Sequence, residues 1–155
     1  MDNESFRDLL QASSEDLKIP VQLIEKDYYI SAILRALSKS AYSQWVVFKG
    51  GTSLSKGYQL IDRFSEDVDF AVISGDMRGN QVKMLLSKLM KEVTKGFTED
   101  TSFAGISKGS KYRKQAFFYD AQVGLDFAVN PIPSRIIVEI SAFACLLYTS
   151  DAADE

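Results

Sequence analysis

The strongest constraint on folding lies in residues 48–72, FKGGTSLSKGYQLIDRFSEDVDFAV. The pair Gly50-Gly51 follows the apolar run Trp45 to Phe48 and opens an amphipathic stretch, which predicts a strand, a tight turn and a helix. Sixteen residues after Gly51, Asp67 and Asp69 begin to alternate with Val68, Phe70 and Val72. Alternate residues of a strand share a face, so one side is apolar and the other carries both carboxylates. Strands disfavour aspartate, and two like charges on adjacent same-face sites cost free energy unless a cation neutralises them. The competing reading is a solvated pair on an exposed strand face.

Around this block the periodicity predicts a short helix over 4–12, then a helix that starts at Pro20 and runs through VQLIEKDYYISAILRALSKS. In it Leu23, Ile30, Ile33, Leu34 and Leu37 fall on one stripe, widened by Ile24 and Tyr28. Thr52 or Ser53 caps a helix reaching about Ile61. Strands follow at 65–73, 101–107, 111–123 and 135–143, with a helix over 82–93 that turns Leu85, Leu86, Leu89 and Val93 inward. This order predicts an α/β fold, a mixed β-sheet flanked by helices.

The chemistry concentrates in few residues. Two carboxylates beside a glycine turn match the needs of a metal-bound nucleoside triphosphate: hard oxygen ligands for Mg²⁺ and free backbone N–H groups for phosphate. Gly50-Gly51 alone reads first as a plain strand-to-helix turn, but the context KGGTSLS, in which Thr52 and Ser53 add hydroxyl donors, favours the phosphate site. A P-loop is excluded, because Ser55 replaces its second glycine and Gly57 follows Lys56. Glu139, inside the apolar strand RIIVEIS, needs a partner to be stable there; it is either a third functional carboxylate or an edge charge facing water, with Asp126 as the next candidate. Glu25 reads as part of a solvated helix face, while Lys26 and Asp27 sit at the borders of the apolar stripe. Arg63 either contacts phosphate or pairs with Glu66 or Asp62, and Ser65 caps the start of the following strand. Lys108, Lys111, Arg113 and Lys114 interleave with Tyr112, Phe117, Phe118 and Tyr119, as either an RNA-gripping surface or a solvated hairpin with a buried aromatic face.

KGGTSLSKGYQLIDRFSEDVDF, with EKDYY upstream and VEIS downstream, resembles the AbiEii-type toxin nucleotidyltransferases, over roughly residues 20–72 and 135–141. The resemblance implies transfer of a nucleoside monophosphate from an NTP to an acceptor, with tRNA or another RNA as the expected acceptor and a co-encoded antitoxin as partner. It implies Asp67 and Asp69 as Mg²⁺ ligands and catalytic residues, and Glu139 as general base or additional ligand. Gly50, Gly51, Thr52 and Ser53 would hold the phosphates, with Lys26 and Arg63 contributing to the nucleotide site. Members are commonly twice this length, and their C-terminal helical half carries a further catalytic Asp/Lys motif that nothing here supplies. An inactive nucleotide- or antitoxin-binding module is the non-enzyme alternative. A metal-dependent glycosyltransferase would use Asp-x-Asp but leaves the glycine turn unexplained. A restriction-like nuclease would place Lys where Ser141 stands.

The final residues, CLLYTSDAADE, read differently from the rest. CLLYTS back-translates as TGT CTC TTA TAC ACA TCT, the transposase end used in sequencing-library adapters. Residues 145–155 are therefore expected to be an adapter-derived tail, and 1–144 the N-terminal fragment of a nucleotidyltransferase domain. Cys145, the sole cysteine, lies in that tail and the chain has no histidine, which excludes disulfides, zinc–thiolate sites and a cysteine nucleophile from the remainder. Without Asp151, Asp154 and Glu155 the acidic count falls from 21 to 18, equal to Lys+Arg, so charge says nothing of partners. No apolar run approaches the roughly 18 residues of a membrane span, and MDNESF is no signal-peptide start, so a cytoplasmic location is expected.

Overall fold

The structure, a computed structural model, describes residues 2–52, 67–123 and 133–142. Helix α1 (Asn3–Leu17) begins where the Asp2 carboxylate accepts the Ser5 N–H at 2.8 Å and ends where Lys18 takes a left-handed conformation, φ 59°. It is longer than the expected 4–12, continuing through residues 11–16, of which Gln11, Glu15 and Asp16 face solvent and Ser13 and Ser14 are half-buried. After Pro20, α2 (Val21–Lys39) leads through a 3-10 turn (Ser43–Trp45) to strand β1 (Val46–Lys49) and a single turn of helix, α3 (Gly50–Thr52). Next come β2 (Asp67–Val72), α4 (Gly79–Val93), β3 (Thr98–Glu99), β4 (Ser107–Lys108), β5 (Tyr112–Phe118) and β6 (Arg135–Ser141).

Among the described residues the strands form one mixed sheet in the order β1-β2-β6-β5-β3, with β4 added on β5. Only β2 and β6 run parallel; the other pairs are antiparallel. One face packs on α2 and α4. From the strands it presents Val68, Phe70, Val72, Ile136, Val138 and Ile140, all fully buried, and from the helices Ile30, Ile33, Leu86 and Leu89. All four inward residues expected of α4 are buried. In α2 the stripe holds at Ile30, Ile33 and Leu37, but Tyr28 points outward and Tyr29 inward. Tyr29 stacks on Tyr119 at 4.5 Å between centroids and donates its hydroxyl to the Asp120 carbonyl at 2.8 Å.

The expected strand over 101–107 is mostly turn. Asp100, on the preceding residue, accepts hydrogen bonds from both the Ser102 N–H (3.0 Å) and hydroxyl (2.6 Å), which turns the chain locally in place of a ladder. The other Asp100 oxygen takes the Arg135 guanidinium at 3.0 Å, and Arg135 also lies over the Phe103 ring at 5.1 Å. The turn is thereby tied to the start of β6. The Ser102 hydrogen bonds, outweighing burial and helped by Arg135, hold the Asp100 carboxyl below its usual range. A depressed acid stabilises the fold above its unfolded pKa, and that contribution disappears as pH falls through the folded value. Asp100→Asn is therefore expected to lower the thermal midpoint at neutral pH, with the gap closing as pH drops below the ordinary carboxylate range; a gap independent of pH would refute the role of the charge.

Candidate active site: a row of charges across four strands

The apolar face of β2 dictates where its acids go. With Val68, Phe70 and Val72 turned to the helices, Asp67 and Asp69 stand on the opposite face, both partly buried. Strand β6 obeys the same alternation, so Glu139 shares that face. Parallel pairing sets Asp69 beside Glu139, antiparallel pairing of β1 sets Lys49 beside Asp69, and β5 sets Lys114 beside Glu139. One rung of the sheet therefore reads Lys49, Asp69, Glu139, Lys114.

Glu139 is the best-held member. Its Oε1 accepts from Lys114 Nζ at 2.5 Å, and its Oε2 accepts from the Tyr112 hydroxyl at 2.9 Å. Burial pushes its carboxyl up, but the bonds from Lys114 and Tyr112 and the charges of Lys114 and Lys49 outweigh it and leave the group below its usual range. The same contacts raise Lys114, through the hydrogen bond first, and Tyr112, through burial first. Asp69 moves the other way. Burial and then the negative charges of Glu139 and Asp67 raise it, against the opposing pull of Lys49 and Lys114. Neighbouring carboxylates thus titrate apart, one held ionised and one made reluctant to ionise.

Gly50 closes the site from the side of β1. Its φ is +76°, in the left-handed region, and the Asp69 carboxylate takes up the space that a Cβ would need. A Cβ there would collide with Asp69 Oδ2 and lie 2.9 Å from its Cγ. The glycine is required twice, by backbone conformation and by the approach of an acid. Gly51 and the Thr52 backbone continue the turn of α3. Ser53, Arg63, Ser65, Glu66 and Asp126 lie outside the described residues.

Other expectations change. Glu25 is not part of a solvated face: it is 2% exposed and accepts backbone N–H groups of Gln122 at 2.6 Å and Val123 at 3.4 Å. A buried acid needs such donors, and here it anchors the chain beyond β5 to α2. Burial still raises its carboxyl. Lys26 is 3% exposed and lines a cleft of about 40 Å³ with Pro133, Arg135 and Ile137, at the start of β6. The basic and aromatic cluster is not one surface: Lys114 joins the carboxylates, Arg113 is buried on the helix side, and Lys108 pairs with Glu99 at 2.8 Å. Alternation along β5 splits it. Lys49 is a site neighbour that the sequence did not single out, and Lys114 and Tyr112, expected in the basic and aromatic cluster, stand instead beside Glu139. Lys49 adjoins the glycines, but nothing in sequence announces the register that brings in the other two.

Gly50→Ala is expected to destabilise by about 1–3 kcal/mol through the left-handed backbone, and further through displacement of Asp69. Urea unfolding measures it, and a loss below about 0.5 kcal/mol would show that the turn relaxes freely. Lys114→Met should move the Glu139 titration upward, read from its side-chain carboxyl carbon by NMR; an unmoved midpoint would sink the ion pair as its cause.

Among the described residues no group of three His, Cys, Asp or Glu side chains is disposed to hold a metal ion, and no helix is long and apolar enough to cross a membrane. No curated protein sequence matches the chain. A crystal structure of a candidate nucleotidyltransferase from H. pylori is similar at 22% identity and a TM-score of 0.49, over 79% of this chain and 46% of that one. The chain thus spans about half the length of that structural relative. The family model described as "Nucleotidyl transferase AbiEii toxin, Type IV TA system" matches residues 32–152, starting after EKDYY and taking in β1, β2 and β6. With most of its length matched, the chain belongs to the AbiEii nucleotidyltransferase toxin family of type IV toxin–antitoxin systems.

Proposed function

We propose that this chain supplies the nucleotide- and metal-binding part of an enzyme that transfers a nucleoside monophosphate from an NTP to an RNA acceptor, tRNA being the class to test first. The observation that carries the reading is the convergence of Asp69, Glu139 and Gly50, which are far apart in sequence, on one sheet face. Family membership supports the transfer chemistry and an antitoxin partner, and a cytoplasmic setting belongs to the same proposal.

The donor set fits a hard divalent cation. Its members are carboxylate oxygens, and Asp69 is crowded by the negative charges of Glu139 and Asp67, which a cation would relieve. Asp67 and Asp69 are the proposed Mg²⁺ ligands, which accords with a two-carboxylate site and needs no third side chain. A bound divalent ion would neutralise charge on the triphosphate oxygens. Gly50, Gly51, Thr52 and Ser53 are proposed to receive the phosphates, with Arg63 and Lys26 toward the nucleotide. In the transfer, an acceptor hydroxyl oxygen bonds to the α-phosphorus, the bond to the β-phosphate breaks, and pyrophosphate leaves. Glu139 takes the hydroxyl proton: Lys114 and Tyr112 keep it ionised and aimed, at the expense of some basicity.

Asp67→Asn or Asp69→Asn should cut label transfer from α-labelled NTP to total tRNA by at least about a hundredfold. Undiminished transfer removes the substituted residue from the site. Calorimetric binding of NTP with Mg²⁺ but no transfer to any RNA would favour a binding module instead.

A further inference from the structure

The face of β5 turned away from the carboxylates carries an arrangement that the transfer chemistry leaves unused. Arg113 and Gln115 flank Lys114 in sequence and so point to the helix side of the sheet. Both are at least nine-tenths buried, at 8% and 6% exposure. Neither is fully satisfied by the protein: among the described residues nothing hydrogen-bonds to Arg113 Nε or Gln115 Oε1. Such groups are costly in a folded interior. Both line a cavity of about 280 Å³ between α4 and the β4–β5 edge, where Lys91 and Lys108 also stand. Among the described residues Glu99 is the only acid on its wall, and its Oε1 takes both Lys108 at 2.8 Å and Gln115 Nε2 at 2.7 Å. That second bond fixes the orientation of the amide, so Gln115 is committed to presenting an acceptor.

We propose that this cavity binds a small phosphate monoester or inorganic phosphate. Among the described residues, three cations against one carboxylate leave the wall with an excess of two positive charges, which suits a ligand of charge about −1.5 to −2 at neutral pH. Arg113 Nε donates to a phosphate oxygen, with Lys91 closing from α4. Gln115 Oε1 requires a donor from the ligand, which a protonated phosphate oxygen or a neighbouring hydroxyl supplies. A fully ionised anion without a proton, such as sulfate, leaves that acceptor unmatched. The Phe117 and Met90 side chains of the wall give the non-phosphate end an apolar surface. The site is on the opposite side of the sheet from Asp69 and does not depend on the proposed transfer reaction.

The test is a titration of the ¹⁵N-labelled full chain with inorganic phosphate and with glycerol 3-phosphate, against sulfate at matched ionic strength, observed at the arginine Nε–Hε and glutamine side-chain resonances. The Arg113 and Gln115 signals should shift saturably with both phosphates, and at least about threefold more weakly bound sulfate is expected. Arg113→Lys should weaken binding about tenfold by removing the planar donor. Because that residue is buried, Lys91→Ala on the exposed face of α4 is the companion variant, expected to weaken binding about threefold without unfolding. Asp69→Asn should leave the shifts unchanged. Absence of saturable shifts, equal response to sulfate, insensitivity to Lys91→Ala, or loss in Asp69→Asn would each overturn the proposal. Glycerol 3-phosphate binding more tightly than inorganic phosphate would identify the monoester as the ligand, and the reverse order the free ion.

Discussion

The parallel pairing of β2 with β6 is the contact on which the site depends, and its register is set by the opposite face of the sheet. Val68, Phe70 and Val72 of β2 and Ile136, Val138 and Ile140 of β6 are all fully buried against α2 and α4. Together six such side chains contribute on the order of 10 kcal/mol of hydrophobic stabilisation. Slippage by one residue would turn one strand's apolar set outward and its acid inward. Repulsion between partly exposed carboxylates is smaller than that penalty. The core therefore forces Asp69 and Glu139 together, and the unfavourable proximity is a consequence of packing on the far side.

The neighbouring strands moderate this proximity without removing it. Lys114 and Tyr112 engage Glu139 directly, whereas Lys49 acts on Asp69 through its field and its register position. The result is an asymmetric pair, with Glu139 held ionised and Asp69 raised. Gly50 completes the enclosure, because only a residue without a side chain lets the turn after β1 approach Asp69 so closely. Strand, turn and strand thus contribute one group each to a site that no single segment could form.

Helix α2 shows a second use of buried charge. Glu25 spends its carboxylate on backbone N–H groups beyond β5, and Lys26 is buried at the start of β6. In sequence Glu25 looks like a solvent-facing helix residue and Lys26 like one at the border of the apolar stripe. Helical periodicity says which residues share a face, but it cannot say that a returning chain segment will cover that face with its own unsatisfied donors.

The order of residues is legible wherever local periodicity governs. It set the long helix after Pro20, the inward residues of α4, the glycine turn, and the placement of Asp67 and Asp69 together on one face of a strand. The weak points were also local: Ser102 hydrogen-bonding to Asp100 displaced an expected strand, and one position of helical phase exchanged Tyr28 for Tyr29. Packing of the whole sheet was needed to put Glu139 beside Asp69, to set Lys49 next to Asp69 and Lys114 and Tyr112 next to Glu139, and to divide the basic residues of β5 between two faces. The physical reason is that strand order and register come from contacts between segments distant in the chain, and those are chosen by how apolar faces pack rather than by any signal in the strands' own polar residues.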